Sequence, residues 1–122
     1  MNGGLAYSDG VAIDASGNLT PIAAPDASVL NPPERWYSVG WTAGGKMWTW
    51  GGSTGDASDI TNTGASYDPV AKTWAAMPTP GALSARVSSA AVWTGTEEVV
   101  WGGWDAQGKN GTYFNDGALF TP

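Results

Sequence analysis

The sequence predicts an all-β protein built from short antiparallel strands, and three observations support this prediction. The chain has 18 glycines and 8 tryptophans among 122 residues, a mixture that suits short strands with tight turns better than helices. No stretch combines a 3.6-residue apolar period with helix caps. Residues 35–52 and 86–103 repeat each other without a gap at an offset of 51 residues, so the strands recur as a unit.

Composition and charge argue against several classes of function. The net charge of −6 disfavours binding to nucleic acid and to anionic membranes. The chain has no cysteine and no histidine, which removes thiolate chemistry and the commonest metal ligand and general base. We therefore expect no cofactor, no metal and no enzymatic activity. No signal peptide or membrane-spanning run is visible, so we expect a soluble protein, in a compartment that the sequence leaves open.

Four strands are predicted in the first copy of the repeat. They cover residues 36–41, 46–50, 64–68 and 73–77. The first two are rich in aromatic residues and flank Ala43-Gly44-Gly45, which predicts a hairpin. Gly51 and Gly52 follow the second strand, where we expect positive φ angles or a close approach of two backbones. A turn at 68–72 joins the third strand to the fourth.

The second copy repeats this order but ends before a fourth strand. Its predicted strands cover residues 87–94, 97–101 and 117–121. Near the start of the chain, residues 8–14 match the third strand, and residues 18–22 match the fourth, with Pro21 marking an edge strand. The chain thus divides into the tail of a unit (1–34), a complete unit (35–85) and the first three strands of a further unit (86–122).

A repeat near 50 residues is typical of propellers and solenoids. The motifs AVWTG at 91–95 and VVWGG at 99–103 resemble the Kelch repeats of bacterial β-propellers, as does Tyr67 with Trp74. Ile13 or Phe120 replaces the tyrosine in the other copies. The resemblance covers nearly the whole chain and implies blades of four antiparallel strands. The residues that carry its structural motif are Gly51, Gly52, Gly102, Gly103, Tyr67 and Trp74.

Two blades cannot close a ring, because propellers have about four to eight. The chain is therefore either a piece of a longer propeller or, as we expect, a non-enzymatic, self-assembling scaffold whose ring is closed by other copies of the chain: a homotrimer with six blades, or a tetramer with eight. The N-terminus of one copy would complete the last blade of another by strand addition. Both ends carry a third strand, so one would be displaced. Trp50, Trp74 and Trp101 are expected to act as wedges between blades.

The loops after the glycine pairs are the candidate binding sites, since the resemblance places them on one face near the channel mouth. The candidates are Trp104, Asp105, Gln107, Lys109, Asp56 and Asp59. Trp104 suits stacking on a sugar or anchoring a peptide, so a carbohydrate-binding propeller is the alternative function. Otherwise Trp104 caps a blade edge and the polar residues are solvated. Hydrolysis by Asp56, Asp59 and Asp105 is a third hypothesis.

Three further groups have competing interpretations. Arg35 and Arg86 either face the channel and bind an acidic ligand, or pair with a neighbouring carboxylate or with carbonyls between blades, which we favour. Residues 14–18 faintly resemble a calcium loop, but their place in the repeat predicts an ordinary turn. Glu97 and Glu98 are neighbours on a strand, so they point to opposite faces, and we expect them in a solvated hairpin.

Overall fold

The computed structural model describes residues 8–55, 59–78, 83–105 and 110–122. The fold is all-β, as predicted, and in this part of the chain it has nine strands. They are β1 (Gly10–Ile13), β2 (Leu19–Ile22), β3 (Val39–Ala43), β4 (Lys46–Trp50), β5 (Gly64–Asp68), β6 (Thr73–Ala76), β7 (Ala90–Trp93), β8 (Glu98–Trp101) and β9 (Gly117–Phe120). No helix in these ranges could cross a membrane.

The strands form three antiparallel sheets in chain order. A hairpin sheet contains β1 and β2, a central sheet has the order β3-β4-β5-β6, and a C-terminal sheet has the order β7-β8-β9. Each strand pairs with the next one along the chain, so each sheet is a simple meander. Both predicted third strands are formed at once, because β1 pairs with β2 and β9 pairs with β8.

Strand bounds agree best in the middle of the repeat. β4 and β5 have the predicted limits, whereas β3 begins at Val39 and β7 at Ala90, three residues later than predicted. The cause is the same in both copies: Tyr37 and Ser88 each have a φ of 55°. A left-handed residue interrupts extended backbone, so the residues before it form only isolated bridges.

The hydrophobic core lies between the central and C-terminal sheets. Trp41 and Trp48 pair across β3 and β4 and stack, with ring centroids 6.3 Å apart. Phe120 of the C-terminal sheet meets the Trp48 ring edge-on at 4.9 Å. Trp50 is 2% exposed in the same cluster, so it is a wedge between sheets, as predicted.

A glycine pair follows the second strand of each repeat. Gly51, Gly52, Gly102 and Gly103 all have positive φ angles, as predicted. A Cβ on Gly52 would lie 2.7 Å from the Trp36 carbonyl oxygen, so a side chain there meets backbone. The first glycine pair also joins the two repeats, because the Gly52 amide donates to the Arg86 carbonyl at 3.0 Å.

Candidate interaction surfaces

The interface between the central and C-terminal sheets joins two different kinds of face. The central sheet contributes Val39, Trp41, Trp48 and Trp50, which alternate with outward residues along β3 and β4. The C-terminal sheet contributes the other face of its β7 and β8 strands, formed by the residues that alternate with those equivalent to Val39, Trp41, Trp48 and Trp50. This face contains Ala91, Trp93, Glu98 and Val100. The interface is therefore heterologous: a tryptophan-rich face of one repeat packs on the other face of the next.

The C-terminal sheet carries its own copy of the tryptophan-rich face, and this copy is uncovered. At an offset of 51 residues, Val92, Val99 and Trp101 correspond to Trp41, Trp48 and Trp50. With Leu119, which pairs with Val99, they form a surface that we call the outward face. Trp101 is 56% exposed and Leu119 is 59% exposed. The predicted wedge role of Trp101 is therefore not formed within a single chain.

The central sheet carries the complementary face, and it lines a groove of about 460 Å³. The floor of this groove includes four residues of the central sheet. At the offset of 51 residues, they are equivalent to the four residues that the C-terminal sheet contributes to the internal interface. The four groove residues are Gly40, Thr42, Met47 and Thr49. Pro25, Leu30 and Pro33 line it from the segment after β2. Trp74 anchors that segment, since its indole N–H donates to the Ala23 carbonyl at 2.9 Å.

Glu98 corrects one expectation from the sequence. The prediction of a solvated hairpin is wrong for this residue, because its exposed fraction is 0%. Within the part of the chain that the structure describes, neither carboxylate oxygen of Glu98 has a hydrogen-bond partner, and burial raises the pKa of this group. The Nε1 groups of Trp41 and Trp50 are likewise buried with no partner among the described residues. Glu97 and Glu98 were predicted to point to opposite faces, but the sequence did not indicate that the central sheet covers the face with Glu98.

Arg35 and Arg86 bind equivalent backbone carbonyls in the two repeats, and half-buried Arg35 also lines the groove. Nη1 of Arg35 donates to the Gly51 carbonyl at 3.2 Å, and Nη1 of Arg86 donates to the Gly102 carbonyl at 2.9 Å. Arg86 is 1% exposed and pairs with Asp116 at 2.9 Å. Among the described residues, Arg35 donates to the Pro32 and Gly51 carbonyls and to the Thr63 hydroxyl, without a carboxylate partner, and burial lowers its pKa. Arg86 thus has the neighbouring carboxylate that we expected, whereas the carbonyl partners of Arg35 lie near it in the chain and directly after β4 of the central sheet.

Of the predicted loop residues, Asp56, Gln107 and Lys109 lie outside the described residues. Asp59 is exposed, and its carbonyl accepts hydrogen bonds from the amide and the hydroxyl of Thr54. Trp104 stacks on Tyr113, with ring centroids 5.9 Å apart. Tyr113 was not predicted, although an aromatic residue in the loop that follows Trp104 was a usable signal. The fold thus brings Tyr113 to Trp104 and its neighbour Asp105, whereas Asp59 belongs to the other repeat.

The segment considered for calcium is a turn. One carboxylate oxygen of Asp14 accepts the amides of Ser16 and Asn18, and the other accepts the Asn18 side-chain amide at 2.8 Å. The bond from the Asn18 side chain is the main cause of a lowered pKa at Asp14. Within the described ranges no three metal-ligating side chains come together. The Asp14 carboxylate therefore serves the turn itself.

Comparison with known proteins finds no matching family model and no matching curated protein. The likeness to Kelch repeats stays a prediction that rests on the repeated motifs.

Proposed function

We propose that this chain is a non-catalytic assembly module that binds further copies of itself head to tail. One observation supports this proposal: the C-terminal sheet and the central sheet each expose one half of an interface that the chain already forms between these two sheets. The outward face corresponds to the tryptophan-rich half, and the groove floor corresponds to the other half. The internal interface therefore supports a second copy of the chain as the partner of each exposed surface.

The exposed apolar side chains support this proposal. Val92, Trp101 and Leu119 are adjacent on one sheet face and all exceed half exposure. Contiguous apolar surface of this kind marks interaction sites in soluble proteins. Heterologous contacts produce either closed rings or open filaments, depending on the rotation between copies. If the arrangement follows Kelch propellers, three copies close a six-bladed ring.

Main-chain groups would extend the same pattern between copies. Within the chain, the Gly52 amide donates to the Arg86 carbonyl, and the Ser88 amide donates to the Tyr37 carbonyl at 3.1 Å. The equivalent bonds between copies would join the Gly103 amide to the Arg35 carbonyl of a second copy, and that copy's Tyr37 amide to the Ser88 carbonyl. These bonds would fix the register of the copies, while the apolar faces supply most of the free energy.

The test is the mass in solution, measured by light scattering on a sizing column over a range of concentrations. We expect a discrete multiple of the 12.5 kDa chain, with three copies as the leading expectation. Leu119→Asp places a charge on the outward face and should give monomers. Val70→Asp is the matched control, because Val70 lies exposed in the turn between β5 and β6 and should leave the assembly unchanged.

A mixing experiment tests the head-to-tail geometry. Thr42→Asp blocks the groove and Leu119→Asp blocks the outward face, so each variant alone should be monomeric. An equimolar mixture retains one intact surface of each kind and should form a dimer that grows no further. A wild-type protein that stays monomeric at all concentrations overturns the proposal. A mixture without the dimer overturns the pairing of these two surfaces.

A further inference from the structure

The second repeat carries an aromatic pair, half-buried Trp104 and exposed Tyr113, that its fold does not require. Trp104 and Tyr113 stack with ring planes 19° apart, and Tyr113 is 80% exposed. In the first repeat, Ser53 and Ile60 form the same kind of bridge at these positions. Since this bridge forms there without aromatic rings, the pair is not needed to build the end of the repeat. The rings therefore call for an explanation outside the fold.

The backbone holds this aromatic pair in place before any ligand arrives. Trp104 bridges Val87 on one side and Tyr113 on the other. Val87 and Trp104 exchange both backbone hydrogen bonds, at 3.0 and 3.2 Å, and the Phe114 amide donates to the Gly103 carbonyl at 2.8 Å. A ligand that stacks on Tyr113 would meet a ring whose main chain is held by these bridges and whose other face rests on Trp104, which lowers the entropy cost of binding.

A carboxylate lies beside the rings. The backbone amide of Asp105 donates to the Thr112 carbonyl at 3.1 Å, and its Oδ1 accepts the Thr112 amide at 2.8 Å. A Cβ on Gly111 would lie 2.8 Å from the Trp104 ring and 3.1 Å from this oxygen. Trp104 and the Asp105 carboxylate therefore meet at one point of the backbone. A flat apolar surface next to a strong hydrogen-bond acceptor suits a ligand with one apolar face and hydroxyl groups at its edge.

We propose that Trp104, Tyr113 and Asp105 form a binding site for a neutral sugar. A pyranose ring presents C–H groups on one face, which pack on an aromatic ring, and hydroxyl groups that donate to a carboxylate. Nucleic-acid bases also stack on aromatic rings, but their phosphates are disfavoured by the net charge of −6. None of the three side chains belongs to the outward face or to the groove, so this proposal does not depend on the assembly.

The experiment uses the whole chain, titrated with neutral tetrasaccharides of glucose, mannose and galactose while saturation-transfer NMR and tryptophan emission are recorded. We expect transfer to at least one sugar and a shift in emission. Tyr113→Ile and Trp104→Ser introduce the residues of the first repeat, whose bridge already accommodates them, and should each weaken binding about tenfold or more. Circular dichroism would verify that both variants keep the wild-type fold.

Val70→Ser is the control, since Val70 is 91% exposed in the turn between β5 and β6 and belongs to neither the outward face nor the groove. This variant should bind as the wild type does. The proposal is overturned if none of the sugars gives saturation transfer at 10 mM. It is equally overturned if Tyr113→Ile and Val70→Ser bind a sugar with the same affinity.

Discussion

Trp50 and Trp101 stand at the same position of the repeat and have opposite surroundings. Both end the second strand of their sheet and precede a glycine pair with positive φ angles. Trp50 is 2% exposed because the C-terminal sheet covers it, while Trp101 is 56% exposed. The local motif therefore determines the strand and the turn in each copy, whereas the neighbouring sheet determines whether the tryptophan contributes to stability.

The largest expected effect tests this contrast directly. Trp50→Ala removes a fully packed ring and should lower the free energy of unfolding by about 3–5 kcal/mol. Trp101→Ala should cost about 1 kcal/mol or less in the dilute monomer, because its side chain is already largely in water. Urea unfolding at low protein concentration measures both losses. Equal losses would mean that the outward face is covered within the chain, contrary to the structure.

Gly52 and Gly103 should respond alike to an added side chain, since the atoms that a Cβ would meet belong to the same repeat as each glycine. Gly52→Ala and Gly103→Ala each force a Cβ against a backbone carbonyl, at 2.7 Å from Trp36 and 2.6 Å from Val87. With positive φ as well, each should cost about 2–4 kcal/mol. Gly44→Ala is the control: its φ is +59° but nothing lies within 4 Å, so about 1 kcal/mol is expected. Thermal unfolding would compare the three, and a cost at Gly52 far above that at Gly103 would contradict local control.

Glu98 gives the smallest expected change and a dependence on pH. Burial raises its pKa above the ordinary value of 4.5. At pH values between the ordinary and the raised pKa, the folded protein therefore keeps a proton that the unfolded chain releases. This contribution to stability is complete below the ordinary pKa and is lost as the pH rises through the raised value.

Glu98→Met introduces the residue found at the equivalent position, Met47. It should raise the free energy of unfolding by about 1–3 kcal/mol at pH 8, with a smaller gain at pH 5. Chemical unfolding at the two pH values, wild type beside variant, isolates the effect of this one carboxyl group. A gain that is the same at both values would show that Glu98 does not change its ionisation on folding.

Sequence alone was sufficient for the meander and for the middle strands, because aromatic runs broken by Gly44-Gly45 and the recurring glycine pairs are local signals. It misplaced the start of β3, since an aromatic residue such as Tyr37 favours extended backbone and nothing nearby indicates its φ of 55°. The burial of Glu98 and the pairing of Trp104 with Tyr113 depend on segments brought together only by the fold. Contacts of that kind leave no local pattern in a single sequence.

The bonds between the Gly52 amide and the Arg86 carbonyl, and between the Ser88 amide and the Tyr37 carbonyl, use main-chain atoms alone. Replacing the side chains around them leaves these bonds in place, provided that the left-handed residues keep their conformation. A gene encoding such repeats is thus free to accumulate substitutions after duplication while the spacing between successive sheets is inherited intact. The two copies in this chain differ at most positions of the shared segment and are still joined in this way.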